Sequence, residues 1–174
     1  MPNYHTQSAS NFNWRAFYTC SRAEKKCEHR LKEKKIDVFL PIQTVIRQWK
    51  DRKKAVQVPI FRNYIFARVD EHERIDVLRT PGVVSCIAFG GILAEIKQEE
   101  IDQIKILQTS SQQYESIQAP QKLVGAEIRI NRGTLRGLKG EVLEIRGESR
   151  LLVRITSLKM AIKVEVPYSI TKYA

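Results

Sequence analysis

The stretch TSSQQYESIQAPQK, residues 109 to 122, divides the chain. It carries almost nothing to bury, although the 174 residues as a whole are 43% hydrophobic. Polar composition of this kind reads as a flexible linker over 109–122. A flexible chain of that length has a root-mean-square span of about 20 Å. Such a span lets the two flanks move independently, and the sequence leaves open whether they dock against each other. A length that allows one ordinary domain or two small ones resolves into two small ones, 13–108 and 123–174, behind a disordered tail at 1–12.

The first part alternates strands with helices. Trp14 to Cys20 is aromatic and weakly alternating, which predicts a strand. Ser21 with Glu24 three places on predicts a capping box. Ala23, Cys27 and Leu31 then recur every four residues and mark the buried stripe of a helix. Ile36 to Leu40 reads as a strand. IQTVIRQWKDRKKAVQVPIF reads as two strands joined by a charged tip near Asp51 to Lys54. Phe61 to Val69 is another strand. Asp70 to Glu73 caps a short helix bearing Ile75 and Leu78, which Pro81 and Gly82 stop. Val83 to Phe89 is a strand and Gly90-Gly91 a turn. Ile101, Ile104 and Leu107 lie on one face of a third helix starting near Lys97.

After the linker every signal is strand. Ile128 and Ile130 alternate with charges, as do Leu151, Val153 and Ile155, then Ile162, Val164 and Val166. Short strands and tight turns over so few residues predict a small antiparallel barrel. The whole chain is therefore expected to be α+β, an antiparallel sheet flanked by helices and linked to a small β-barrel.

NRGTLRGLKGEV, residues 131 to 142, raises the possibility of a phosphate loop and excludes it. Gly133, Gly137 and Gly140 have neither dinucleotide-fingerprint nor P-loop spacing, and a strand follows instead of a helix. These glycines are expected to serve the backbone, through positive torsions or close chain approach. Arg132, Arg136 and Lys139 then ring an exposed loop, open to RNA or a protein partner.

The formal charge is +11, and both parts carry a basic excess. That balance favours DNA, RNA or an acidic protein surface. Three cysteines, Cys20, Cys27 and Cys86, are sparse and odd in number, as expected of reduced thiols in the cytoplasm. The polar start lacks a signal core, and no apolar run approaches the eighteen or so residues of a membrane span. Cys20, Cys27 and His29 lack metal-ligand spacing, and no nucleophile has a specified partner. No metal, cofactor or enzymatic activity is expected.

VGAEIRINRGTLRGLKGEVLEI resembles a KOW motif: a strand, a glycine loop and a second strand. Such motifs occur in ribosomal proteins and in the NusG family of transcription elongation factors. NWRAFYTCSRAEKKCEHRL resembles the opening of a NusG amino-terminal (NGN) domain, FRNYIFARV its central strand, and TPGVVSCIAFGG the segment after it. RQWKDRKKAVQVPIF and the R-A-E-K-K helix are most similar to the UpxY-type paralogues, specialised antiterminators of Bacteroides-type bacteria.

This resemblance implies an NGN domain joined to an SH3-like KOW barrel, a non-enzymatic monomer. Its implied partner is RNA polymerase, bridged across its cleft so that pausing and termination are suppressed. The implied clamp contact falls on Trp14, Phe61 and Tyr64, with Phe17 beside them. Arg22, Lys25, Lys26 and Arg30, with Thr80, are implied to approach non-template DNA or nascent RNA. Glu73, Arg74 and Ile75 match the region facing the opposite lobe, without the His-Thr-Thr motif of some relatives. The KOW loop, with Gly133, Arg136, Gly137, Lys139 and Gly140, is implied to meet a ribosome or termination factor. Arg62 stands where the family usually has proline. Specialised action at particular operons, such as surface polysaccharide loci, is the favoured role. The alternatives are a general NusG factor, or a KOW-type protein binding RNA or ribosomes.

Overall fold

A computed structural model of the chain describes residues 11–110, 114–118, 127–145 and 148–165. The first part runs β1 (Asn13–Thr19), α1 (Glu24–Glu33), β2 (Asp37–Phe39), β3 (Ile42–Gln48), β4 (Lys53–Pro59), β5 (Tyr64–Val69) and α2 (Glu71–Leu78). It continues through β6 (Val83–Cys86), β7 (Ala88–Phe89), β8 (Ile92–Leu93), β9 (Glu95–Ile96) and α3 (Gln98–Gln108). The second part holds β10 (Glu115–Gln118), β11 (Glu127–Arg129), β12 (Lys139–Ile145), β13 (Glu148–Ile155), a 3-10 turn at Thr156–Leu158, and β14 (Met160–Glu165). Most of the tail expected at 1–12, part of the expected linker, and Val166 lie outside the described residues.

The first sheet has the order β2-β5-β1-β6, with β9 also pairing β1, all antiparallel. Side chains alternate across β1, and this separates two cores. Phe17 joins Ile65, Ala67 and Val69 of β5 against Cys27 and Leu31 of α1 and Val77 of α2. Trp14 and Ala16 face the other way, into a core shared with Phe61, Phe66 and the α3 residues Ile101, Ile104 and Leu107. Thus α1 and α2 cover one face and α3 covers the other.

The start of α1 differs from the expected capping box. Ala23 is the N-cap and makes no side-chain cap bond. Arg22 takes a left-handed φ of 61°, so Ser21 sits in a turn before the helix. The freed Glu24 carboxylate is buried and accepts the Asn63 backbone N–H at 2.9 Å. Asn63 itself has φ 64°. That turn delays β5 until Tyr64, three residues after the expected strand start. The α2 cap is as expected: Asp70 Oδ1 accepts the Glu73 N–H at 2.8 Å.

The second part is a five-stranded antiparallel sheet in the order β10-β14-β13-β12-β11. Among the described residues β10 and β11 are its edges and do not pair. Within the stretch 109–122 expected to be a linker, four residues form a strand. Glu115–Gln118 is a strand laid along β14, and Tyr114 is buried. Gln43 of β3 binds both sides of the Tyr114 backbone, donating to its carbonyl at 2.9 Å and accepting its N–H.

The two parts, whose docking the sequence leaves open, are in contact. The core beneath α3 continues into Ile128, Leu138, Leu151, Val153 and Ile162 of the second sheet. Polar bonds fix the contact. Gln103 Oε1 accepts the Lys139 N–H at 2.7 Å, and its Nε2 donates to the Gly137 carbonyl at 3.3 Å. Glu100 accepts the Ser157 N–H at 3.1 Å and the Ser157 hydroxyl at 2.5 Å. Thr109 donates to the Thr134 carbonyl at 3.2 Å.

Candidate functional site

The aromatic face of the first sheet is built by register. Ala16 pairs Phe66 and Tyr18 pairs Tyr64 across β1 and β5, while Phe39 of β2 pairs Phe66. Trp14 meets Phe39 edge-on at 6.4 Å, and Phe61 meets Phe66 edge-on at 5.6 Å. Edge-to-face packing is the favoured arrangement of aromatic quadrupoles. The Trp14 indole N–H donates to Gln98 Oε1 at 2.9 Å. Trp14 and Phe61 are therefore buried by the chain itself, at 8% and 0% exposure.

Phe17 does not belong to this face. It is fully buried on the opposite side, under α1. The period of two decides this, because Trp14 and Phe17 are an odd number of residues apart. The same period identifies a residue that the sequence reading passed over. Tyr18 shares the face of Trp14 and is 37% exposed. Its ring stands edge-on to Tyr64 at 5.6 Å, and its hydroxyl accepts from Asn63 Nδ2 at 3.0 Å. Tyr64 is half-buried, and burial, then the neighbouring Tyr18, pushes its phenol above the usual range. An open pair of tyrosines thus borders a closed aromatic core.

The basic face lies on the next element. Arg22, Lys25, Lys26 and Arg30 are all exposed. Arg30 is partly committed, since its guanidinium donates to the Pro81 carbonyl at 2.6 Å. Thr80 does not join them. It is 1% exposed; its hydroxyl accepts from Lys34 Nζ at 2.8 Å and donates to the Asp76 carbonyl at 2.9 Å. Burial and these two bonds make it a fastener between α1 and the end of α2, closed to a nucleic acid. Gly82 (φ 97°) follows, where an added Cβ would stand 2.8 Å from Cys27 Sγ.

On α2, Glu73 is half-buried, and burial foremost raises its carboxyl. Arg74 is bound to Glu71 through a forked contact, with Nε at 2.9 Å from Oε2. Ile75 is 39% exposed. Of the three, Ile75 is the one presented outward without an intramolecular polar tie.

In the glycine loop, Gly133 and Gly137 take φ of 79° and 92°. Gly140 answers a different need, since a Cβ there would lie 2.5 Å from the Leu152 carbonyl oxygen. Both expected backbone roles are present. Arg132, Arg136 and Lys139 are exposed, while the loop backbone at Gly137 and Lys139 is held by Gln103. Among the described residues no group of His, Cys, Asp and Glu is arranged to hold a metal ion. No described helix is long and apolar enough to cross a membrane.

Residues 12–105 match the family described as "Transcription termination factor nusG". The fold is similar to a solved structure described as "Domain interaction in Thermotoga maritima NusG", with a TM-score of 0.54. That likeness covers 91% of this chain and 94% of the other at 19% identity, and so concerns fold.

Proposed function

Because this chain belongs to the NusG family of transcription factors, we propose that it binds RNA polymerase across its cleft and suppresses pausing and termination. The observation that carries the reading is the open Tyr18–Tyr64 pair, tied through Asn63 to the start of the basic helix α1. Tyrosines of this kind bury much area at low entropy cost and suit an interface anchor. Trp14 and Phe61 support the pair from below. Lys25, Lys26 and Arg22 meet phosphates of the non-template strand or nascent RNA, which positions the protein without reading sequence. The mechanism is a population shift: a ligand that prefers the closed clamp stabilises it by its differential affinity. Ile75 is the contact offered to the opposite lobe.

The second sheet is read as a KOW-type module whose Arg132, Arg136 and Lys139 loop meets a ribosome or termination factor. The UpxY-like sequence stretches favour service at particular operons, such as surface polysaccharide loci. A reconstituted elongation complex tests the core claim. Added protein is expected to shorten pauses and increase read-through of terminators. Unchanged pausing, with no association at low salt, overturns it. Crosslinking followed by sequencing separates the specialised role from a general one, which would occupy transcribed genes throughout the genome.

A further inference from the structure

The ribbon of β3 and β4 pairs with no other strand among the described residues. An isolated two-stranded ribbon is marginal alone and is usually kept polar. This one carries Trp49 at its tip, 53% exposed, and Ile46 on its flank, 65% exposed. The tip is closed by the Trp49 N–H donating to the Arg52 carbonyl at 2.8 Å. Lys54 Nζ lies 5.6 Å from the indole centroid and steadies the ring. The indole opens onto a shallow groove of about 620 Å³, bounded by Thr44, Lys54 and Gln57 on the ribbon and by Lys25 of α1. Arg47, Lys50, Arg52 and Lys53 belong to the same tip and are all exposed, with Asp51 as the single acid of residues 47–54.

We propose that this tip and the adjoining flank of α1 bind single-stranded nucleic acid, with an unpaired base stacked on Trp49 and the backbone phosphates running past Lys54 and Lys25. A flat exposed ring among lysines is the pairing that single strands require, because every base has a π-face and every linkage a charge. A duplex keeps its bases stacked and leaves the ring unused. A protein anchor is favoured by an apolar surround, whereas here Lys54 lies over the ring and Lys25 lines the same groove. The inference rests on the preceding reading only through the basic face of α1, and it requires no polymerase.

The test uses the full chain alone, titrated into end-labelled oligothymidylate, oligouridylate and a mixed-sequence duplex of equal length, with label anisotropy reading affinity for every variant and intrinsic fluorescence followed in the unsubstituted chain. Both single strands are expected to quench Trp49. Trp49→Ala is expected to lower affinity by about ten-fold or more, and Trp49→Phe to restore most of it. Lys25→Ala with Lys54→Ala is expected to flatten the salt dependence. Stronger binding of the thymidylate assigns the site to displaced DNA, and stronger binding of the uridylate to transcript; either result supports it. Duplex binding as tight as single-strand binding overturns the proposal. So does affinity unchanged in Trp49→Ala, or a Trp49→Ala defect seen with polymerase and absent with both oligonucleotides. Thermal melting of each variant shows that the fold survives the change.

Discussion

Tyr64 and Trp14 look alike in sequence and differ in what they leave for a partner. Tyr64 retains accessible surface beside Tyr18, whereas Trp14 is closed over by Gln98 and Phe39. Tyr64→Ala is therefore expected to weaken polymerase binding by about 1–3 kcal/mol with little change in melting temperature. Trp14→Ala and Phe17→Ala are expected to cost about 3–5 kcal/mol of stability, and denaturant titration reads the difference. Loss of polymerase affinity in Phe17→Ala without loss of stability would return Phe17 to the interface. The thiols divide in the same way. Cys27 is fully buried, and burial raises its pKa more than Arg30 lowers it, so little thiolate forms near neutral pH. Cys20 is exposed. Iodoacetamide is expected to label Cys20 and spare Cys27, as peptide mass spectrometry would show.

At the scale of elements, Gly140 and Gly133 share a motif and answer to different physics. Gly140→Ala drives a methyl group against the Leu152 carbonyl and Leu151 side chain, and is expected to cost about 1–3 kcal/mol. Gly133→Ala meets nothing within 4 Å and bears only its positive φ, a cost of about 1–2 kcal/mol. Thermal unfolding should rank Gly140→Ala as the less stable; the reverse order would deny the close approach. Sequence alone could name these glycines as conformational, yet the spacing could not say which served torsion and which served contact. Alternation and periodicity were enough for β1, α1, the β3–β4 ribbon, α2 and α3. They were not enough at Ser21, where a left-handed Arg22 displaces the cap, or at Thr80, whose partners Lys34 and Asp76 are distant or unremarkable in sequence. Tyr18 was within reach of the same alternation that placed Trp14.

At the scale of the molecule, the parts meet through side chains that look solvated in the sequence. Glu100 and Gln103 lie among charges on α3, and only the fold shows them turned toward Ser157, Gly137 and Lys139. A polar stretch between two cores reads as a tether because composition reports what a segment can bury, and Glu115–Gln118 joins its sheet through backbone bonds that any residue supplies. Glu100→Ala and Ser157→Ala are expected to be non-additive, with a coupling of about 0.5–3 kcal/mol in a double-mutant cycle. Additive losses would mean that the carboxylate and the serine do not act together.

The clasp of α3 on the second sheet has a consequence for anyone recombining members of this family. A chimera that exchanges the carboxy-terminal half for a homologue's would inherit a helix whose Gln103 and Glu100 are cut to fit one particular loop and turn. The graft succeeds only where the incoming half presents a free amide at the position of Lys139 and a hydroxyl at that of Ser157; elsewhere, the seam itself is the part that must be redesigned.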